Sequence, residues 1–336
     1  LYDLGDIRPA LPTLVNSFEI AGRVTADAAD ATGLAAGTPV VGGLFDVDAS
    51  ALGAGVHQPG QVCIIAGTWS INEIVTADPI VDPTLFMTSI YTVPDMWLTI
   101  EASATSATNL EWFVTQFCAE EKAAADKRGI SVYDVCSELV DGLPPGGSDI
   151  IFHPFLFGSN VQATARSGFY GIAGWHTKAH MLRSLYEGVV YGHLSHFEKL
   201  RDASSQVDVA RLSGGGAHSS VWTQIFADTL QLPMEVPDGI EIGARGAALS
   251  AGIGVGVYKD HADAVAQAKA RINLFKDMLM KFKKMQDSGK IKIKIVNNKM
   301  VVEMASAILF PSGSDKLSKE GKEALTEVAE VLSTIE

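Results

Sequence analysis

Residues 38–47, TPVVGGLFDV, form a nearly unbroken apolar run and read as a buried strand. They pass into DASALGAGV, a helix of small residues for which Asp48 is the expected N-cap. Residues 61–76, QVCIIAGTWSINEIVT, and 89–103, SIYTVPDMWLTIEAS, are apolar or alternating and predict strands. Residues 106–127 carry helical periodicity with polar side chains gathering at the end, and 179–202 predict a long amphipathic helix. VDVARLSGGG (207–216) then reads as a strand leading into a loop. It is followed by the helix SSVWTQIFADTLQ, the short strand PMEV and the helix ARGAALSAGIGVG. Strands first, then helices alternating with strands, imply an α/β fold on a mixed sheet. Trp112, Phe113 and Phe117, at helical spacing, and Trp222 are expected in the core.

Charge divides the chain in two. Residues 1–265 hold 13 basic and 30 acidic side chains, a net −17, whereas 266–336 hold 13 and 9, a net +4. Twelve of the 17 lysines lie in the second part, glycine thins out there, and no Pro/Gly/Ser linker marks the change. The predicted domains are therefore 1–265 and 266–336. The second should open as a basic amphipathic helix, continue as two β-rich runs turning at Asn297–Asn298, and close with the helix KEGKEALTEVAEVLSTI.

The bulk numbers narrow the function. A net charge of −13 argues against a nucleic-acid partner, whose phosphates need clustered Lys and Arg. The start, LYDLGDIRPALP, has neither a basic region nor an apolar core, so no signal peptide is read. Residues 242–258, the most apolar long window, carry Arg245 and read as a buried helix rather than a membrane span. Three cysteines (Cys63, Cys118, Cys136) without CxxC spacing fit reduced thiols and a cytoplasmic location.

Candidate chemistry sits at the ends of predicted strands. Asp46 and Asp48 close the first run, and two glycine loops follow: IIAGTWS, with Gly67 and Thr68, and LSGGGAHSS, with Gly214, Gly215, Gly216 and Ala217. Glycine lets a backbone approach a ligand closely, and a helix N-terminus attracts an anion. Neither loop has the Gly-Lys-Ser/Thr of a phosphate-binding P-loop, and a tight turn is the alternative reading of each. His176 and His180 lack the glutamate of a zinc-protease motif, and His193 and His196 read as surface or packing residues of the long helix.

The order strand–Asp–small-residue helix, strand–AGT, long helix, strand–GGGA–helix–strand–helix resembles the C-terminal domain of the FGGY carbohydrate kinases, in the actin-like ATPase (ribonuclease H-like) superfamily. SGFYGIAGWHTKAHMLRSLYE (167–187) resembles that family's second signature, and GRVTADAADATGLAAGTPVVGG and EIGARGAALSAGIGVG resemble its flanks. GLFDVDAS and FHPFLFGSN are most similar to the L-xylulose kinase branch, whose substrates are ketopentoses or related polyols. The resemblance covers roughly residues 10–265. It implies ATP and Mg²⁺ as cofactors and a general base that takes the proton of the attacking sugar hydroxyl. Family spacing puts glycines seven and nine residues after that base. Asp46 meets both, with Gly53 and Gly55, and Asp48 does not. The resemblance further implies Gly67 and Thr68 at the phosphates, Gly215, Gly216 and Ala217 at the adenosine, and Gly158 lining the nucleotide; it assigns no metal ligand. Phe45 and Val47 replace the family's glycine and amide beside the base, which puts one usual sugar contact in doubt.

FGGY kinases have two domains, and the Asp-x-Gly-Thr loop of the first does not occur here. The expectation is a kinase domain lacking its N-terminal partner and inactive alone, that partner residing in another chain, with a homodimer also allowed. The tail ILFPSGSDKLSKEGKEALTEVAEVL resembles the start of an OmpA-like peptidoglycan-binding domain, α+β in class and cut before its ligand residues. The junction then reads as a chimera or fragment, and peptidoglycan association through the tail is the alternative function.

Overall fold

The computed structural model of the chain describes residues 6–160, 162–203, 207, 209–296, 299–311 and 313–333. It divides into two compact units, 1–265 and 266–336.

The first unit opens with β1 (Ile20–Arg23), α1 (Ala26–Thr32) and β2 (Pro39–Val41), β1 and β2 forming a two-stranded antiparallel ribbon. β2 was expected as a buried strand running on to the acids. Instead it is three residues long with Val40 exposed, because Gly42 and Gly43 end it before Phe45. α2 (Asp46–Gly53) follows, and then four strands: β3 (Val62–Ala66), β4 (Ser70–Thr76), β5 (Met87–Ile90) and β6 (Trp97–Ser103). The run 106–127 splits into α3 (Thr108–Phe117) and α4 (Ala119–Arg128) at Cys118, whose backbone leaves the helical region at ψ 40°. α5 (Val132–Asp141) begins at a capping box between Ser131 and Asp134. β7 (Ile151–His153) and β8 (Gly168–Tyr170) pair before the long α6 (Lys178–Ala203). β9 (Ala210–Ser213), a 3₁₀ turn over Gly215–His218, α7 (Ser220–Leu230), β10 (Met234–Glu235) and α8 (Ile242–Gly254) complete the αβ alternation.

The main sheet has six strands in the order β10-β9-β3-β4-β6-β5, parallel from β10 to β3 and antiparallel beyond. Helices cover both faces, so alternate residues of one strand enter different cores. Val62, Ile64 and Ile74 pack with Leu182, Tyr186, Val190 and Trp222 on one side. Cys63, Val75, Leu98 and Ile100 pack with Val47, Ala51 and Ile242 on the other. Of the expected core aromatics, Phe113 and Trp222 are buried, whereas Trp112 and Phe117 are exposed. The buried stripe of α3 is Asn109, Leu110 and Phe113, and Trp112 stacks edge-on against Phe117 outside it.

α9 (His261–Asp287) starts in the first unit and ends in the second, so the compositional break lies within one helix. In the second unit β11 (Lys292–Val296) and β12 (Lys299–Glu303) pair antiparallel. Their expected turn, Asn297–Asn298, lies outside the described residues. α10 (Ser306–Leu309) and α11 (Lys319–Leu332) follow, the latter capped by the Ser318 hydroxyl, which accepts from Gly321 N at 2.7 Å. The core of this unit is small: Phe282, Met285, Ile291 and Val331. No helix among the described residues is long and apolar enough to cross a membrane.

Candidate active site

Two cavities meet at Gly67–Thr68, the turn between β3 and β4. This loop was expected at a strand end, and it is the tip of a β-hairpin. The smaller cavity, about 440 Å³, holds Phe45, Asp46, Trp69, Phe86 and Met87 on the Gly67–Thr68 pair. The larger, about 570 Å³, lies between that pair and Gly215, walled by Thr108, Ser131, Ser137, Tyr186, Ser219 and Trp222.

Asp46 is the first residue of α2 and is exposed, where the helix dipole favours negative charge. Its Oδ1 accepts from Val47 N at 3.0 Å, and its carbonyl oxygen accepts the Ser50 hydroxyl at 2.9 Å. α2 is fixed by α8: a Cβ on Gly53 would stand 1.9 Å from Ile242 O, and one on Gly246 1.8 Å from Ala49 O. Gly55 turns the chain out of the helix at φ +88°. The glycines seven and nine residues after Asp46 are thus a close helix contact and a left-handed turn.

Asp48 is not the helix cap. The helix starts three residues earlier than that reading requires, with Phe45 at the cap position, and Asp48 lies inside its first turn at 8% exposure. Burial, and then the charge of Asp46, push its carboxyl from 3.8 up to about 7. Glu73, fully buried on the sheet face beneath α2, is held well above the usual range by burial and by both aspartates. Asp48 Oδ1 and both Glu73 oxygens meet no hydrogen-bond donor among the described residues.

The sign of the Asp48 effect is set by its raised folded-state value. The folded chain holds this proton more tightly than the unfolded one, so stability falls as pH rises from about 4 to about 7, and the penalty is complete above that. Asp48→Asn should flatten this slope and raise stability at pH 8 by up to about 4 kcal/mol. Thermal melts of both proteins from pH 4 to 8 check it; parallel curves would refute the assignment.

The residues at the second loop divide by geometry. Gly214 has φ +86° and lies so close to Ala66 that a Cβ would meet its carbonyl oxygen at 2.7 Å. Gly216 packs on Ala66 Cβ, and Ala217 packs against the core; neither lines the cavity. Gly215 does line it, and a Cβ there would meet nothing within 4 Å. Gly67 is similar, with only ordinary contacts at 3.6 and 4.0 Å. Gly158, at φ +106° in the turn after Phe155, lines neither cavity. Of the seven expected site residues, the structure therefore brings together Asp46, Gly67, Thr68 and Gly215.

Several lining residues were missed from sequence. Ser131, Tyr133 and Ser137 belong to the start of α5, a helix legible in the apolar spacing Val132, Val135, Cys136, Leu139, Val140. The Ser137 hydroxyl meets Ser219 Oγ at 2.8 Å and Tyr186 Oη at 3.3 Å, and Tyr186 stacks on Trp222 at 4.4 Å. His176 and His180 are engaged locally: His176 Nε2 lies 2.7 Å from Asp149 Oδ1, and His180 Nδ1 accepts from Thr177 N. His193 and His196 are buried, not on the surface.

Residues 62–255 match the FGGY family of carbohydrate kinases, C-terminal domain, and residues 2–53 match its N-terminal domain. L-xylulose/3-keto-L-gulonate kinase of Escherichia coli (strain K12) is 41% identical over 264 residues, 78% of this chain and 50% of that protein. Probable L-xylulose kinase of Haemophilus influenzae is 38% identical over 252 residues, 75% of this chain and 50% of that protein. The chain spans about half the length of these curated relatives. Among solved structures, xylulose kinase from Rhodospirillum rubrum superposes with a TM-score of 0.63 at 24% identity, covering 96% of this chain and 56% of that one. Plasmodium falciparum glycerol kinase with ADP gives 0.64 at 17%, covering 97% and 56%. These likenesses show the fold, an α/β architecture with a mixed sheet that this chain shares with those structures.

Two expectations are corrected. The match over 2–53, which includes Asp46, shows that the N-terminal domain of the family is represented here, so the expectations of inactivity and of an N-terminal domain residing in another chain are not supported. The OmpA-like likeness of the tail, with its chimera and peptidoglycan association, finds no support in these comparisons. Two matched domains and a relative 41% identical across 78% of the chain place this protein in the FGGY family of carbohydrate kinases.

Proposed function

We propose that this chain phosphorylates the hydroxyl of a ketopentose or related polyol at the expense of ATP, with Asp46 as general base. The observation that carries the reading is the meeting of two cavities at Gly67–Thr68, one holding an exposed carboxylate and the other lined by glycine and hydroxyl groups. The names of the curated relatives supply the substrate class.

In this reading the larger cavity takes the nucleotide. Its volume, about 570 Å³, lies within the range of small-molecule sites. The space above Gly67 and Gly215 lets phosphate oxygens approach the backbone, with the Thr68 hydroxyl beside them. Tyr186, Trp222 and Tyr133 form the apolar wall for the base. Among the described residues no cluster of three or more His, Cys, Asp or Glu could hold a metal ion. Mg²⁺ would enter with the nucleotide, since it characteristically binds through substrate phosphates with one or two carboxylates and water. Bound with the nucleotide, Mg²⁺ would supply charge neutralisation on the transferring phosphoryl group.

The smaller cavity takes the acceptor. Phe45, Trp69 and Phe86 are about half exposed around Asp46 and offer flat faces to the C–H side of a sugar. Asp46 is the acidic residue in that lining and accepts the proton of the attacking hydroxyl.

Gly215→Ala tests the nucleotide half, because a Cβ there meets no protein atom within 4 Å and stands where the ligand would approach the backbone. Calorimetry should show Mg·ADP binding to the parent and at least about tenfold weaker binding to the variant, with an unchanged melting temperature. Absence of parent binding at millimolar ligand, or equal affinity of the two, would refute the reading.

A further inference from the structure

A hydrogen-bonded chain of three fully buried side chains leads to the segment that holds the Gly67–Thr68 turn. Asn72 on β4, His193 on α6 and Ser106 just before α3 are each at 0% exposure. His193 Nδ1 stands 3.0 Å from Asn72 Oδ1, and Nε2 stands 2.9 Å from Ser106 Oγ. Since the amide oxygen can only accept, Nδ1 donates to it, and Nε2 accepts the Ser106 hydroxyl proton. Burial, and then the nearby His196, push the imidazole down to about 3, so it is neutral as this pattern requires.

Ser106 opens a segment that is hydrogen-bonded to the turn. Its N–H donates to Thr68 O at 3.2 Å, Ala107 N donates to Gly67 O at 2.9 Å, and Thr108 Oγ1 donates to Thr68 O at 3.1 Å. Asn109 Nδ2 closes the segment on Ser106 O at 2.9 Å. Both carbonyls of the turn are thus occupied by the segment leading into α3, of which Ala107 and Thr108 also line the larger cavity. The same helix α6 carries Tyr186, two turns before His193, in the wall of the larger cavity. The Phe226 ring packs edge-on against His193, with centroids 5.0 Å apart. A polar chain in such a place gives less stability than apolar filling would, but it specifies one geometry.

We infer that His193 is a positioning residue: through Ser106 it sets the height and direction of the Gly67–Thr68 turn relative to the nucleotide wall on α6. The inference rests on the kinase reading for its effect on ligand, and on geometry alone for its effect on the turn.

The test uses the full chain with Ser106→Ala, His193→Leu, the double variant, and Val190→Ala as a control. Val190 is fully buried on the same helix and outside the chain of hydrogen bonds, so its truncation destabilises without touching the turn. Amide exchange should quicken at Ser106 and Ala107 in Ser106→Ala and His193→Leu, but not in Val190→Ala. Mg·ADP binding should weaken about 3- to 10-fold in either single variant, the value of one hydrogen bond, and no further in the double variant. Should His193→Leu fail to fold, Ser106→Ala carries the same prediction. Unchanged exchange at both amides, or equal quickening in the control, overturns the inference. If the parent binds no Mg·ADP, the kinase reading fails while the exchange comparison still decides the positioning role.

Discussion

Asp46→Asn is expected to slow phosphoryl transfer to a ketopentose by about 10²–10⁴-fold, the usual worth of a general base. Asparagine keeps the shape at the head of α2 and can still accept from Val47 N, so the fold loses little. Mg·ADP affinity should stay within about twofold, since a group acting on the acceptor hydroxyl contributes to the transition state and not to nucleotide binding. Asp46 belongs to the lining of the smaller cavity and not the larger, which is the structural basis for that separation. Steady-state kinetics and calorimetry on the same preparation check both halves. A rate within threefold of the parent would remove Asp46 from the role and leave the two-cavity arrangement to be explained otherwise. Asp48→Asn is the companion experiment: its carboxyl is turned away from both cavities, so its effect should fall on the pH dependence of stability.

The largest destabilisation is expected at Gly246. A methyl group there would lie 1.8 Å from Ala49 O and 2.9 Å from Gly53 N, both backbone atoms of α2. Side chains can rotate away from an intruder, but a helix backbone can only move as a body. Overpacking typically costs 1–3 kcal/mol, and with no side chain to yield Gly246→Ala should reach at least about 3 kcal/mol. For a unit of this size that lowers the melting temperature by about 6–12 °C. Gly53→Ala should behave alike, with Ile242 O at 1.9 Å from the added carbon. Because α2 carries Asp46, either variant should also lose phosphoryl transfer beyond what its melting temperature accounts for. A melting temperature within a degree of the parent would show that α2 and α8 do not bear on each other as closely as described.

These glycines show how a spacing in the sequence carries structural information. The seven- and nine-residue intervals from Asp46 separate it from Asp48 without reference to any fold. In the structure they mark a helix–helix contact and the left-handed exit of the helix. The long helix α6, the αβ alternation after it and the mixed sheet were equally legible, since each depends on the period of apolar residues along one element. The roles of Asp48, Gly216 and Ala217 were not. A helix start three residues early places Asp48 inside the first turn of α2 instead of at its cap, and one residue in a glycine loop decides which carbon faces a ligand.

The amino-acid sequence by itself determined the elements, the mixed sheet, the acid at the head of α2 and the family likeness, because these are carried by residue type and spacing along a local stretch. What only the tertiary structure decided lies between elements. Asn72 and Glu73 are adjacent polar residues of one strand, and alternation sends them to opposite faces. Both faces are covered by helices, so both side chains are buried, one beside His193 and the other beneath Asp48. Nothing in the strand's own residues distinguishes those environments. They are created by the helices packed against each face, residues brought together from as far as 121 positions away along the chain.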